Sequence, residues 1–467
     1  MGSTDADPLH IAMFPWFAFG HISPFIQLSN KLSVDPTIKI SFLSAPGNIP
    51  RISSSLSSTV QIIPLEIPPV DGLPAGLEST AEMTPLQTEL LKKAVDNMKP
   101  QIVTLLAHLR PHIIFHDFTH QWLPSISTPL NIKTFIFSVF SAISGAYVMV
   151  PARLPSSQIP TVDDLKKPPL GFPSTSVTML KTYEASDMLY VFKNFGGPSV
   201  YDRDVGSKKN CSAIVIKTCL EMEAPYVKFI ESQYGKPVLL AGPVVPQPPT
   251  GALDHGWADW LGQFPEKSVV FCSFGSETFL KDDQIRELVL GLEMAGPPFL
   301  VVLNFPDEED TVARLNAALP EGFKERVKDK GVVYTGWVQQ QHILAHDSVG
   351  CFVCHGGLSS ITEALISDCQ LVLLPQKGDQ FLNTRLVSGD LKAGIEVKRE
   401  DENGYFGKED LCEAVKAIME KVDEEPGKTV RENHRKWRDF MRDAAVHEKF
   451  LKDFVKEMKR MVLGVDG

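Results

Sequence analysis

The chain has 467 residues, 43% of them hydrophobic and 22% charged, with a formal net charge of −11. That length suffices for two ordinary domains and a large core, and the acidic balance argues against a nucleic-acid or anionic-membrane partner while leaving room for a local anion pocket. Seven cysteines, odd in number and thinly spread, argue against a disulfide framework.

The first apolar run starts at Ile11 and is broken by Pro15, Gly20 and His21, with no basic lead. It reads as a strand over 11–14 and a loop, not a signal peptide, and no run of about 18 apolar residues predicts a membrane span. A helix is expected over 24–32 and further strands over 39–43 and 113–116. His21 falls in the first turn after a strand, the place where a doubly wound domain opens at the carboxyl edge of its sheet. An isolated histidine there most often caps or packs against the next helix, although its imidazole can take a proton near neutral pH. Asp117 closes the strand 113–116 at another predicted carboxyl edge, and its neighbours His112, His116 and His120 read as structural. Trp16, Phe17, Phe118, Trp122 and Phe140 are the aromatic residues chosen as the lining of an apolar cleft suited to a flat phenolic scaffold. The proline-rich stretch 151–173 is either a surface loop or a wall of that cleft.

Pro243, Pro246, Pro248 and Pro249 deny regular structure to 243–254, which reads as a stiff linker. The strand–helix alternation then restarts, with strands expected over 268–274, 300–303, 332–334, 351–354 and 371–374. Two such series predict an α/β chain of two doubly wound, Rossmann-like domains. A G-x-G-x-x-G after the first strand is missing, which counts against dinucleotide binding. Cys351 and Cys354 read as strand packing, since no second pair lies at zinc spacing. His355, Gly356 and Gly357 sit where a strand gives way to a helix, a junction whose free N–H groups and dipole favour a phosphate. Glu363 and Asp379 follow at distances suited to hydroxyl groups beside it. Asp379 also reads as an N-cap for the next helix. The final segment carries an apolar stripe through Trp437, Phe440, Met441, Phe450, Leu451, Phe454, Val455 and Met458, expected to be one helical pattern.

The stretch 337–380 resembles the signature box of plant family-1 UDP-glycosyltransferases, with Trp337, Gln340, His346, His355, Gly357, Ser360, Glu363, Pro375, Asp379 and Gln380 in step. PWFAFGHISPF around His21 and SVVFCSFGSE around Ser276 extend the likeness over nearly the whole chain. The resemblance implies a GT-B fold, two domains facing across a cleft. Residues 1–242 would bind the acceptor, 243–254 would link, 255–430 would bind the UDP-sugar, and 431–467 would return to the first domain. It implies His21 as base and Asp117 as its partner. On the donor side it implies Trp337 under the uracil with Val338 beside it, Gln340 and Glu363 on the ribose, and His355, Gly357, Ser359, Ser360 and Ser276 about the diphosphate. Asp379 and Gln380 would contact the sugar. Leu358 and Ser359 stand where the common pattern has Trp-Asn, a departure similar to the branch that adds sugars to existing glycosides. The expected activity is therefore inverting, metal-independent transfer of rhamnose, xylose or glucose to a sugar hydroxyl of a flavonoid or other plant glycoside. The alternative is glucosylation of a phenolic aglycone. No cofactor beyond the UDP-sugar co-substrate, no nucleic acid and no membrane are expected, and the enzyme reads as a cytoplasmic monomer.

Overall fold

The computed structural model describes residues 8–80, 83–156, 158–243, 245–246, 248–305 and 310–464. Seven strands form the first sheet: β1 (Leu9–Phe14), β2 (Ile38–Ser44), β3 (Gln61–Pro64), β4 (Ile113–His116), β5 (Lys133–Ser138), β6 (Ala213–Ile216) and β7 (Val238–Leu240). They are all parallel, in the order β3-β2-β1-β4-β5-β6-β7. Six more form the second: β8 (Val269–Ser273), β9 (Phe299–Leu303), β10 (Gly331–Thr335), β11 (Val349–Cys354), β12 (Gln370–Leu373) and β13 (Gly394–Glu396). These too are parallel, in the order β10-β9-β8-β11-β12-β13. The inner strands are apolar almost without interruption and buried along their whole length, as a sheet covered by helices on both faces requires.

The strand orders fix where ligands can bind. In each sheet the winding reverses beside its first strand, between β1 and β4 in one and between β8 and β11 in the other. A crevice opens at the carboxyl edge of such a switch point. His21 and Asp117 follow β1 and β4; Ser276 and His355 follow β8 and β11. The two pairs therefore lie at the two places where this topology leaves the backbone open.

Two expectations of local structure need correction. The first helix spans Phe19–Leu32 and not 24–32, so His21 lies in its first turn; Pro24 sits within the helix without ending it. The carboxy-terminal stripe is divided between two helices, Gly427–Arg442 and Ala444–Leu463. They part at Asp443, whose carboxylate accepts from the Ala445 amide at 2.9 Å and caps the second helix. The break lets one stripe serve two cores. Trp437 donates from Nε1 to the Leu391 carbonyl at 3.2 Å in the second sheet's layer, whereas Phe454 and Met458 join Leu9, Ile11 and Phe115 beneath the first sheet.

The two sheet layers also meet directly. The Ser141 hydroxyl donates to Asn383 Oδ1 at 2.6 Å, the Gly378 amide to Asp187 Oδ2 at 2.6 Å, and Arg385 to Glu184 Oε1 at 2.9 Å. Among the described residues no helix is long and apolar enough to cross a membrane.

Candidate active site

At the first switch point the His21 imidazole bonds through Nδ1 to Asp117 Oδ2 at 2.8 Å. The same oxygen accepts from the Trp16 amide at 3.2 Å, and Oδ1 accepts from the Phe118 amide at 2.8 Å. Asp117 is buried. Burial alone would raise its carboxyl, but the charge and hydrogen bond of His21 and the Phe118 amide outweigh it and hold the group below the usual carboxylate value. A carboxylate so held accepts from Nδ1–H and fixes the tautomer that leaves the Nε2 lone pair free. Phe118 and Phe140 flank the imidazole, with ring centroids at 5.5 and 5.4 Å.

The rival histidines have other surroundings. His116 and His120 are fully buried, and burial lowers them to about 4 and about 3. His112 accepts the His10 amide at 2.9 Å. Of the five aromatic residues chosen for the cleft, Phe118 and Phe140 lie beside His21 and Trp122 is half-buried near His120. Phe17 is a correction. Its ring is 0% exposed and packs with Phe14 and Trp16 in the core. Trp16, almost as deeply buried, reaches Asp117 through its backbone.

At the second switch point His355 leads into the helix Leu358–Leu365, whose N-cap is Gly357. No side chain caps that helix, so its first N–H groups lack an intrahelical partner. The fit around His355 is close. A Cβ on Gly357 would stand 2.4 Å from His355 Nε2, and one on Gly275, at φ +72°, would stand 3.1 Å from its Cε1. Burial, helped by the charge of Lys377, lowers the imidazole to about 4. Near neutral pH it is therefore a neutral ring. Gly275 is held from behind by Asn304, which donates from Nδ2 to its carbonyl at 2.9 Å. Ser276 next to it and Ser359 are exposed, while Ser360 is buried.

Gln340 donates from Nε2 to Glu363 Oε2 at 2.6 Å, and Gln341 to Oε1 at 3.3 Å. Burial raises the Glu363 carboxyl against the pull of these two bonds. Trp337 presents its indole to solvent at 82% exposure, and Val338 beside it is buried. A cavity of about 770 Å³ adjoins them, bounded also by Trp257, Trp260 and Tyr334. Gln380 is buried, and its Oε1 accepts the Gln376 and Lys377 amides at 3.0 and 3.1 Å. Asp379 stands at the N-cap position but makes no capping bond. Its Oδ2 accepts from Asn383 Nδ2 at 2.9 Å. That corrects the capping expectation and ties Asp379 to the Ser141 contact between the layers. Burial raises the Asp379 carboxyl, opposed by Asn383, Lys217 and His21. Asn383 and Lys217 escaped the reading of the sequence. Asn383 lies one turn past Asp379 on an apolar helix, and its spacing of four residues was the only signal.

Among the described residues no three histidine, cysteine or acidic side chains gather in a way that could hold a metal ion. The arrangement thus offers a polarised base in one layer. The other layer offers a helix start, a neutral imidazole, a carboxyl–amide pair and an exposed indole.

Residues 237–432 match the family model described as UDP-glucoronosyl and UDP-glucosyl transferase. The chain is 57% identical over 459 residues, 97% of each chain, to the anthocyanidin-3-O-glucoside rhamnosyltransferase of Petunia hybrida. It is 40% identical to the anthocyanidin 3-O-glucoside 2'''-O-xylosyltransferase of Arabidopsis thaliana, over 99% of each chain. Its fold superposes with a TM-score of 0.73 on Arabidopsis thaliana UGT89C1 complexed with UDP-L-rhamnose, at 21% identity, covering 97% of this chain and 100% of that one. The fold is GT-B, and the chain belongs to the plant family-1 UDP-glycosyltransferases, enzymes that transfer sugar from a UDP-sugar.

Proposed function

We propose that this enzyme transfers rhamnose from UDP-rhamnose to a hydroxyl of the sugar on a flavonoid glycoside, with UDP-xylose and UDP-glucose as the other candidate donors. The observation that carries the reading is the 57% identity with the Petunia rhamnosyltransferase across 97% of each chain. In this reading residues 1–242 receive the acceptor, 255–430 hold the UDP-sugar, 243–254 link them and 431–467 return to the first domain. The enzyme works as a cytoplasmic monomer, without metal or cofactor.

The step is a direct displacement. His21 Nε2 takes the proton of the acceptor hydroxyl while that oxygen forms a bond to the anomeric carbon. The bond from that carbon to the diphosphate oxygen breaks on the opposite face, UDP leaves, and the configuration inverts. Charge gathering on the diphosphate meets His355, Ser276, Ser360 and the N–H groups of Gly357 and Ser359, donors oriented before the reaction begins. Trp337 stacks on uracil with Val338 at its edge. Gln340 and Glu363 exchange their mutual bond for the ribose hydroxyls, and Asp379 and Gln380 contact the donor sugar.

Incubation with the three UDP-sugars, each with an anthocyanidin 3-O-glucoside and with the bare anthocyanidin, tests the reading by product mass. A glycoside carrying one added deoxyhexose is expected; preference for the bare anthocyanidin would overturn it. A second result is expected from Gly357→Ala. The new methyl displaces His355, and a misplacement near 1 Å costs up to about 100-fold in kcat/KM. The rise should fall on the KM for UDP-sugar, and an unchanged KM would remove the Gly357–His355 contact from donor binding.

A further inference from the structure

Lys217 follows β6 directly, at the same carboxyl edge that carries His21 and Asp117. In the order β1-β4-β5-β6 it stands two strand spacings from Asp117, roughly 10 Å between backbones. Its ammonium feels the charge of two carboxylates. One is Asp117 in its own layer and the other is Asp379 across the seam. Asp379 in turn feels both Lys217 and His21. The contact of His21 with Asp117 at 2.8 Å thus lies at an edge where Lys217 and, from the other layer, Asp379 also act on these groups.

Lys217 is half-buried, and among the described residues its Nζ has no hydrogen-bond or ion-pair partner. Burial lowers its pKa to about 8 against the pull of Asp379 and Asp117, so near neutral pH it is charged. An ammonium is three donors without an acceptor, met here by solvent, and a molecule that displaces that solvent without replacing its bonds binds at a cost. A bound molecule with several hydroxyl oxygens would satisfy it. A flat aglycone placing one phenol at His21 offers few further oxygens beside it, whereas a glycoside puts a ring of hydroxyls at that point.

We propose that Lys217 recognises the sugar already present on the acceptor, donating to hydroxyl oxygens next to the one that His21 deprotonates. The inference rests on the glycoside reading given above and adds to it the residue that selects for a glycoside. Lys217 is carried by the first sheet with His21, and Asp379, expected beside the donor sugar, closes the other side. The acceptor sugar would then lie between the two, with its reacting oxygen toward the anomeric carbon.

The test compares Lys217→Met, which keeps length and removes charge, with Lys217→Arg and wild type. Initial rates are measured against an anthocyanidin 3-O-glucoside, the bare anthocyanidin and UDP-sugar, with thermal melts alongside. For Lys217→Met the KM for the glycoside is expected to rise on the order of 10–100-fold, the usual loss for a hydrogen bond to a charged group. The KM for UDP-sugar should change less than about twofold on this argument, and Lys217→Arg should recover much of the loss. The melting temperature should change little, because the ammonium has no hydrogen-bonded partner to lose. An unchanged KM for the glycoside would overturn the proposal, and so would an equal rise in the KM for UDP-sugar, which would assign Lys217 to the donor. If the glycoside reading itself fails, wild type alone reveals it by preferring the bare anthocyanidin.

Discussion

His21→Ala is expected to lower turnover by about 10²–10⁴-fold, the usual contribution of a positioned general base, with the KM for UDP-sugar nearly unchanged. Few groups stand near enough to replace it. His116 and His120 are the nearest other imidazoles in sequence to Asp117, but both are sealed from solvent and held neutral by burial. Asp117→Asn should be nearly as damaging, and it isolates the cause. The native carboxylate accepts from three donors, the Trp16 and Phe118 amides and the His21 ring. An asparagine has only one accepting oxygen. If that oxygen keeps the Phe118 amide, its NH₂ faces His21 Nδ1 and turns the ring to the tautomer with a proton on Nε2. A ring in that state has no lone pair for the acceptor hydroxyl. Initial-rate measurements at saturating UDP-sugar check both variants. Turnover above about a tenth of wild type in His21→Ala would remove His21 from the role of base.

The positions of these residues were legible because they follow strands that are long and apolar. IAMF, IIFH, SVVFCSF and CFVC announce β1, β4, β8 and β11, so periodicity places these residues at strand ends, while the strand orders that make those ends switch points come from the structure. What escaped notice lies on weaker signals. β3 and β13 are short edge strands, half-exposed and without alternation. β7, three residues long, is too short to show a period. β6 is only four residues long, and Lys217 lies just beyond its end. An aromatic residue near a histidine, as Phe17 is, looks alike in sequence whether its ring turns into the core or the cleft. Only the packing with Phe14 and Trp16 decides that. The break at Asp443 was hidden by an apolar stripe that runs on through it, and Asp is the one cue, being a favoured N-cap.

Acid should unfold this enzyme well before its carboxylates are titrated as a class. His116, His120 and His434 are all but completely buried, and burial lowers them to about 4, about 3 and about 4. Each is neutral in the fold and takes up a proton near pH 6.5 once unfolded. Their contribution to stability is therefore fully present above pH 6.5. It is lost as the pH falls from there toward 4, where the folded protein itself begins to bind the protons. At about 1.4 kcal/mol per unit, one such group accounts for a loss of a few kcal/mol, a large part of the roughly 5–15 kcal/mol that holds a domain folded. Asp204 and Glu223 act in the opposite sense, since burial raises their carboxyls. His434 is the group to change. Its Nε2 meets the Ala364 carbonyl at 3.2 Å, and the charges of Arg438, Asp368 and Arg442 act on it from the flanking segments. His434→Gln keeps a donor for that carbonyl and removes the titration. Thermal melts across pH 7.5 to 4.5 should show wild type losing stability steeply below pH 6.5, and the variant losing it less steeply. Parallel curves would mean that His434 binds its proton alike in both states, and so lies outside the acid response.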